Sequence, residues 1–231
     1  ILHYTAAPFA SSLRTLTQGG VSAHYLLPDP DEPSYGAAGY DELRVFRLVD
    51  EDKRAWHAGV SHWGGLDNLN SRAIGIEIVN LARDDAGVFT FPEYGREQVD
   101  TLIALVRDML GRYPQVGPLD VLGHSDVAYW RKSDPGPRLP WRYLFEAGIG
   151  AWFDETTRRM YQRRFCLGLP PEVEVERAFQ RCGYKPAWNR QAFEWRTRAF
   201  QMHFRPRDYC GVLDGETCAI LYALNDRYRG I

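Results

Sequence analysis

The sequence predicts an α/β region, with a mixed central sheet flanked by helices, followed by a small all-α bundle. Three observations carry this. Up to about residue 147, short apolar runs rich in β-branched residues alternate with helical periodicity. Gly148-Ile149-Gly150 then reads as a linker. Beyond it, apolar positions recur only at helical spacing. The expected division is therefore 1–148 and 150–231.

Taken in order, Ile1–Tyr4 reads as a first strand, and Ser11-Ser12 as the cap of a short helix with Leu13 and Leu16 on one face. Ala23–Leu27 is strand-like and stops at Pro28. Pro28–Tyr40, rich in Pro, Gly, Asp and Ser, reads as loop, and Leu43–Val49 as a further strand. Arg54–Asn70 carries Gly, His and Trp without a clear period, the kind of irregular segment that frames sites. Ile74–Val79 is an apolar strand broken by one charge, Glu77. Arg96–Arg112 is the strongest helix, with Val99, Leu102, Ile103, Val106 and Leu110 on one face. Leu119–Gly123 is expected to be a strand ending at His124, and Lys132–Trp141 to be irregular. After the linker, 155–165, 172–182, 190–203 and 215–229 are candidate helices, the last capped by Asp214.

Composition narrows the function classes. The chain has 231 residues, 45% of them hydrophobic, and a net charge of −2. No clustered basic face suggests nucleic acid, because Arg158-Arg159 and Arg163-Arg164 follow acidic residues as on a solvated helix. No apolar run reaches the roughly 18–20 residues of a membrane helix. The chain opens on Ile1 with no Met or leader, so a preceding segment is expected. Cys166, Cys182, Cys210 and Cys218 form no C-x-x-C pair, which argues against a cysteine zinc site. They read equally as buried thiols or as one or two disulfides, with pairing open.

Among six histidines, His3 and His124 sit where strands feed irregular chain, and Asp134 follows in K-S-D-P-G. Two imidazoles and one carboxylate are a common set for a catalytic zinc that keeps one open position. Spacing alone does not separate this from ordinary packed histidines. Glu77 is costly on an apolar strand unless it is paired, protonated or functional; a salt bridge to Arg72 is the alternative. Lys132 stands two residues before Asp134 and can share its side of an extended chain, or be a solvated loop lysine.

Six segments occur in register: His3-Tyr4-Thr5-Ala6, Ser22-Ala23-His24-Tyr25, Trp56-His57-Ala58-Gly59, Ile74–Asn80, Gly123–Ala128 and Lys132–Gly136. Together they resemble the zinc-dependent N-acetylmuramoyl-L-alanine amidases related to phage lysozyme-type amidases and peptidoglycan recognition proteins. Residues 200–206 and 213–217 resemble the helical peptidoglycan-binding domain that follows the amidase in one Gram-negative branch. The resemblance implies Zn2+ on His3, His124 and Asp134, with Glu77 as acid/base and Lys132 as the positive stabiliser. It implies that Tyr4, Trp56, His57 and Asn80 line or support the groove, that His24 is structural, and that His203 is no ligand. It further implies peptidoglycan and muropeptides as partners, and a periplasmic protein on a lipid anchor carried by the preceding segment. A zinc peptidase acting within the stem peptide, or a non-catalytic peptidoglycan binder, are the competing readings. The choice between anhydro- and intact muramic acid stays open.

Overall fold

The computed structural model describes residues 1–85 and 88–230, the side chain of Asp84 excepted. Strand β1 (Leu2–Tyr4) leads to helix α1 (Phe9–Gln18), β2 (Tyr25–Leu27), α2 (Pro33–Ala37) and β3 (Phe46–Arg47). Two short strands, β4 (His62–Trp63) and β5 (Leu66–Asp67), pair with each other. They are followed by β6 (Ile76–Ile78) and the ribbon β7 (Arg83–Asp85) and β8 (Val88–Thr90). Helices α3 (Arg96–Arg112), α4 (His124–Val127) and α5 (Trp141–Glu146) complete the α/β region. Helices α6 (Glu155–Phe165), α7 (Glu172–Cys182), α8 (Arg190–Phe204) and α9 (Gly215–Arg229) form the helical region.

The main sheet has the order β1-β6-β2-β3. Its first three strands are parallel and β3 is antiparallel to β2, so the sheet is mixed. One face buries Leu2, Ile76 and Ile78 against Val99, Leu102, Ile103 and Val106 of α3. The other buries Leu26 and Val79 against Phe9, Leu16 and Tyr35 from α1 and α2. Both faces are covered, which is why β6 reads as a nearly continuous apolar run.

Several expectations need correction. Leu119–Gly123 is not a strand. Pro118–Asp120 is a 3-10 turn, and only Gly123 bridges to Leu2, since Pro118 starts a turn and Asp120 closes it back onto the Gly117 N–H. The segment 28–40 is not all loop, because Glu32 caps α2 and Pro33 sits at its first turn, where its missing N–H costs nothing. Ser11 and Ser12 lie inside α1, which starts at Phe9, and both hydroxyls bond back to the Pro8 carbonyl. Within 43–49 only Phe46–Arg47 is strand. The helix bounds at 96–112, 155–165, 172–182 and 215–229 are those the periodicity predicts.

All four cysteines are free thiols, Cys182 and Cys218 buried and Cys166 and Cys210 exposed. A single apolar core runs across the two regions. It joins Trp63, Leu119, Leu122, Val127 and Tyr129 to Phe179, Tyr184, Phe200, Phe204 and Leu224. Gly148 and Gly150 adopt positive φ, but Ile149 between them is buried with the sheet's core. Among the described residues no helix is long and apolar enough to cross a membrane.

Candidate active site

Register places the first two side chains. In the parallel pair β1–β6, His3 lies opposite Glu77, so both project from the same face of the sheet on neighbouring strands. Their apolar neighbours Leu2, Ile76 and Ile78 point into the α3 core instead. His124 opens α4 just after the chain bridges to β1, and Asp134 returns on the loop behind it, where its backbone carbonyl accepts from the Ser125 N–H at 2.8 Å.

Three atoms then converge. His3 Nδ1 is 2.9 Å from His124 Nδ1 and 2.9 Å from Asp134 Oδ2, and His124 Nδ1 is 3.0 Å from the same oxygen. All three residues are buried. The other ring nitrogens decide what these atoms are. His57 Nε2 lies 3.0 Å from the Ala73 carbonyl, which can only accept, so His57 carries its proton there and offers Nδ1 as an acceptor. His3 Nε2, 3.0 Å from that Nδ1, must donate. His124 Nε2 lies 3.1 Å from the Ala58 carbonyl, to which it can donate, and 3.2 Å from the Arg131 guanidinium, which bonds the same oxygen. With both imidazoles neutral, each Nδ1 presents a lone pair. Two lone pairs and a carboxylate oxygen facing one another repel unless a cation sits among them. Their spacing is close to the roughly 3.3 Å edge of a tetrahedron with ~2.0–2.1 Å zinc–nitrogen bonds. The donor set therefore fits zinc.

Electrostatics agree with that assignment. Burial, and then the neighbouring His124, pull His3 down to about 3, while burial and His3 pull His57 down to about 2. Both are thus held neutral. Burial alone would raise Asp134, but His124 and His3 outweigh it and hold the carboxyl well below the ordinary carboxylate range. Glu77 moves the other way: burial and the Asp134 charge push it up to about 8, against the pull of Lys132.

These groups line a cleft of about 370 Å³ between α1 and the 131–134 loop, with His3, Tyr4, Trp56, His57, Glu77, His124, Lys132 and Asp134 in its walls. Tyr4 shares a 2.6 Å hydrogen bond with Ser133. Trp56 is 53% exposed and carries the Arg54 guanidinium over its ring, so it is available to a ligand. Asn80 is buried and donates to the Pro92 carbonyl, which makes it a support of the site and not a wall. The alternative partner for Glu77, Arg72, lies on a different cavity with Glu51 and Lys53.

A family model described as N-acetylmuramoyl-L-alanine amidase matches residues 1–137. The chain belongs to this family. It is 41% identical to N-acetylmuramoyl-L-alanine amidase AmiD of Escherichia coli (strain K12), over 99% of this chain and 82% of that protein. It superposes on AMPDH3 from Pseudomonas aeruginosa with a TM-score of 0.96 at 56% identity, covering 99% of this chain and 91% of that one. It superposes on the E. coli AmiD complex with anhydro-N-acetylmuramic acid-L-Ala-D-gamma-Glu-L-Lys with a TM-score of 0.85 at 40% identity, covering 98% and 88%.

Two residues that support this amidase site, Asn70 and Gly75, were not singled out from the sequence. Asn70 Oδ1 accepts from the backbone N–H groups of His57, Ala58 and Gly59, at 3.1, 2.7 and 3.1 Å. This aims the Ala58 carbonyl at His124. Gly75 leaves room for the His57 ring, which a Cβ there would meet at 2.4 Å. His24 accepts from the Gly75 N–H and bonds the Lys53 carbonyl, so it is a structural histidine. His62 pairs with Asp67 across the β4–β5 turn, away from the cleft. The one signal available in sequence was the density of Gly and His in 54–75.

Proposed function

We infer that this chain hydrolyses the amide between the lactyl group of anhydro-N-acetylmuramic acid and L-alanine of peptidoglycan stem peptides, with zinc held by His3, His124 and Asp134. The observation that carries the reading is the meeting of His3 Nδ1, His124 Nδ1 and Asp134 Oδ2 beside Glu77 in an open cleft. The anhydro sugar is supported by relatives whose structures hold anhydromuramyl peptides. A bound zinc would supply Lewis-acid polarisation and lower the pKa of coordinated water to near ~7.

The chain's own groups do the rest. His57 and the Ala58 carbonyl lock the two imidazole tautomers, so neither ring must reorganise to ligate. Glu77, beside His3 on the sheet, has the raised proton affinity of a group that takes a proton from attacking water and returns it to the leaving amine. The Lys132 ammonium on the same cleft stabilises the negative charge that develops on the carbonyl oxygen. The C–N bond breaks as that proton reaches the alanine nitrogen.

Mass spectrometry of products from a soluble anhydromuropeptide tests this. Release of the intact stem peptide supports the amidase; cleavage between amino acids of the stem means a peptidase instead. In the same reading, residues 150–231 hold the glycan–peptide mesh. The exposed Trp188, stacked on Tyr129 6.0 Å away, offers a flat apolar face of the kind sugar rings pack on. Trp188→Ala in the full chain should pellet less with insoluble sacculi, and equal pelleting would remove that role for this residue. The polymer lies outside the cytoplasm, and on that ground we propose that the protein works in the periplasm. Recovery of the full-length protein in the cytosolic fraction would overturn that assignment.

A further inference from the structure

One residue of the Gly123–Ala128 motif has no task in the amidase reading. Asp126 is 1% exposed, yet its carboxyl is fully occupied. Oδ2 accepts from the Gly123 N–H at 2.8 Å, closing the single turn of α4. The same oxygen accepts from His203 Nδ1 at 2.8 Å, and Oδ1 accepts from the Tyr184 hydroxyl at 2.6 Å. Tyr184 follows α7 and His203 lies in the last turn of α8, so both donors come from the helical region. Both are themselves fixed. The His203 ring stacks on Trp141 with centroids 3.7 Å apart, and Tyr184 packs edge-on against Trp63 and Phe179.

Helix α4 has four residues and begins with His124. So short a turn has no helical stability of its own, and its place is set by what it is tied to. Its ties are the Ser125 N–H to the Asp134 carbonyl, the bridge from Gly123 to Leu2, the His124 ring on the Ala58 carbonyl and the bonds that run through Asp126. Gly123, at the head of the turn, is pressed so closely on Pro135 that a Cβ would meet its ring at 2.6 Å. A shift of the turn carries His124 with it and pulls on Asp134 through the Ser125 N–H.

We propose that Tyr184 and His203 are positioning residues for the metal ligand His124, acting through Asp126, so that the helical region completes the metal site. The inference rests on the zinc reading of His3, His124 and Asp134, and not on which amide is cut. A buried carboxylate that loses one donor turns toward another partner or toward water, because leaving its lone pair unmet is costly. The Gly123–His124 turn then relaxes. Zinc binding weakens without being abolished, since all three ligands remain.

The test uses the full chain. Zinc affinity is measured by competition with a chromophoric chelator, with circular dichroism and metal-free melting on the same samples. Tyr184→Phe and His203→Leu should each weaken zinc by about tenfold, the lower end of what loss of an outer hydrogen-bond partner costs. His203→Asn places an amide N–H near the position of Nδ1 and should recover most of the loss. Val175→Ala, in the α7 core away from Asp126, should lower the melting temperature and leave zinc affinity unchanged. Unaltered zinc affinity in folded Tyr184→Phe and His203→Leu overturns the proposal. So does a Val175→Ala variant that weakens zinc as much as they do, which would make the effect one of general stability. If the unmutated chain binds no zinc, the metal reading and this inference fall together.

Discussion

Where His3 Nδ1, His124 Nδ1 and Asp134 Oδ2 meet, acceptor faces acceptor, whereas at Asp126 every contact joins a donor to an acceptor. Both clusters are buried, both combine imidazole with carboxylate, and their contacts all lie between 2.6 and 3.0 Å. Distance alone does not separate them. The separation comes from following each proton outward. His57, anchored on the Ala73 carbonyl, obliges His3 to spend its one proton away from the cluster, and the Ala58 carbonyl does the same to His124. With both rings protonated at Nε2, no proton is left between the three inner atoms, and the cluster suits a cation. Around Asp126, Tyr184, His203 and the Gly123 N–H each bring a proton, and the cluster closes itself. A buried His–Asp pair is thus a metal site or a brace according to whether the ring nitrogen facing the carboxylate still carries its proton; His203 Nε2 has no partner among the described residues, which leaves its proton for Asp126.

The contrast can be broken most directly at the ligands. His3→Ala or Asp134→Ala should lose zinc on dialysis and with it all amidase turnover. Metal analysis showing one equivalent of zinc in either variant would mean that the acceptor cluster is held some other way. Next in size is catalysis with the metal in place. Glu77→Ala should lower turnover by about 10²–10⁴-fold and Lys132→Ala by about 10²–10³-fold, each keeping its zinc. Zinc loss in Glu77→Ala would recast that carboxylate as a ligand, and an unmutated rate in Lys132→Ala would leave Lys132 a solvated loop lysine.

The outer partner sharpens the argument further. His57→Phe keeps a ring in the space beside Gly75 but removes the acceptor for His3 Nε2–H. Zinc affinity should drop by about 10–100-fold. An unchanged affinity would show that His3 keeps its tautomer without help. A separate effect is expected on the metal-free protein in acid. His3 and His57 are held neutral when folded, at about 3 and about 2, against 6.5 in the unfolded chain. As pH falls below 6.5 the unfolded state takes up protons first, so their contribution is full above that pH and declines steadily toward pH 3. Melting of the metal-free protein should shift downward over that window by on the order of ten degrees or more. A flat profile would mean that the protonated imidazoles find anionic partners in the folded protein and titrate as they do in the unfolded chain.

How much of this was legible beforehand depended on how far apart the cooperating residues lie. Periodicity and caps act within a few residues, so the bounds of α3, α6, α7 and α9 follow from spacing, down to Asp214 accepting from the Thr217 N–H at 2.8 Å. The residue types suited to holding zinc could likewise be named in order along the chain, because a family motif is a local string. Strand lengths were not legible, since a strand ends where its neighbour stops pairing; this reduced 43–49 to two residues and turned 119–123 into a turn with one bridge.

What only the tertiary structure decided is which proton goes where. His3 meets His57 across 54 residues, His124 meets the Ala58 carbonyl across 66, and Asp126 meets His203 across 77. Nothing in the local chain signals such pairs. They exist because the sheet sets β1 beside β6, Asn70 gathers three N–H groups behind Ala58, and one apolar core draws α8 against α4. The sequence supplied the candidate ligands and the helices. The fold determined that one set of buried histidine and aspartate would face inward as acceptors and the other would satisfy itself.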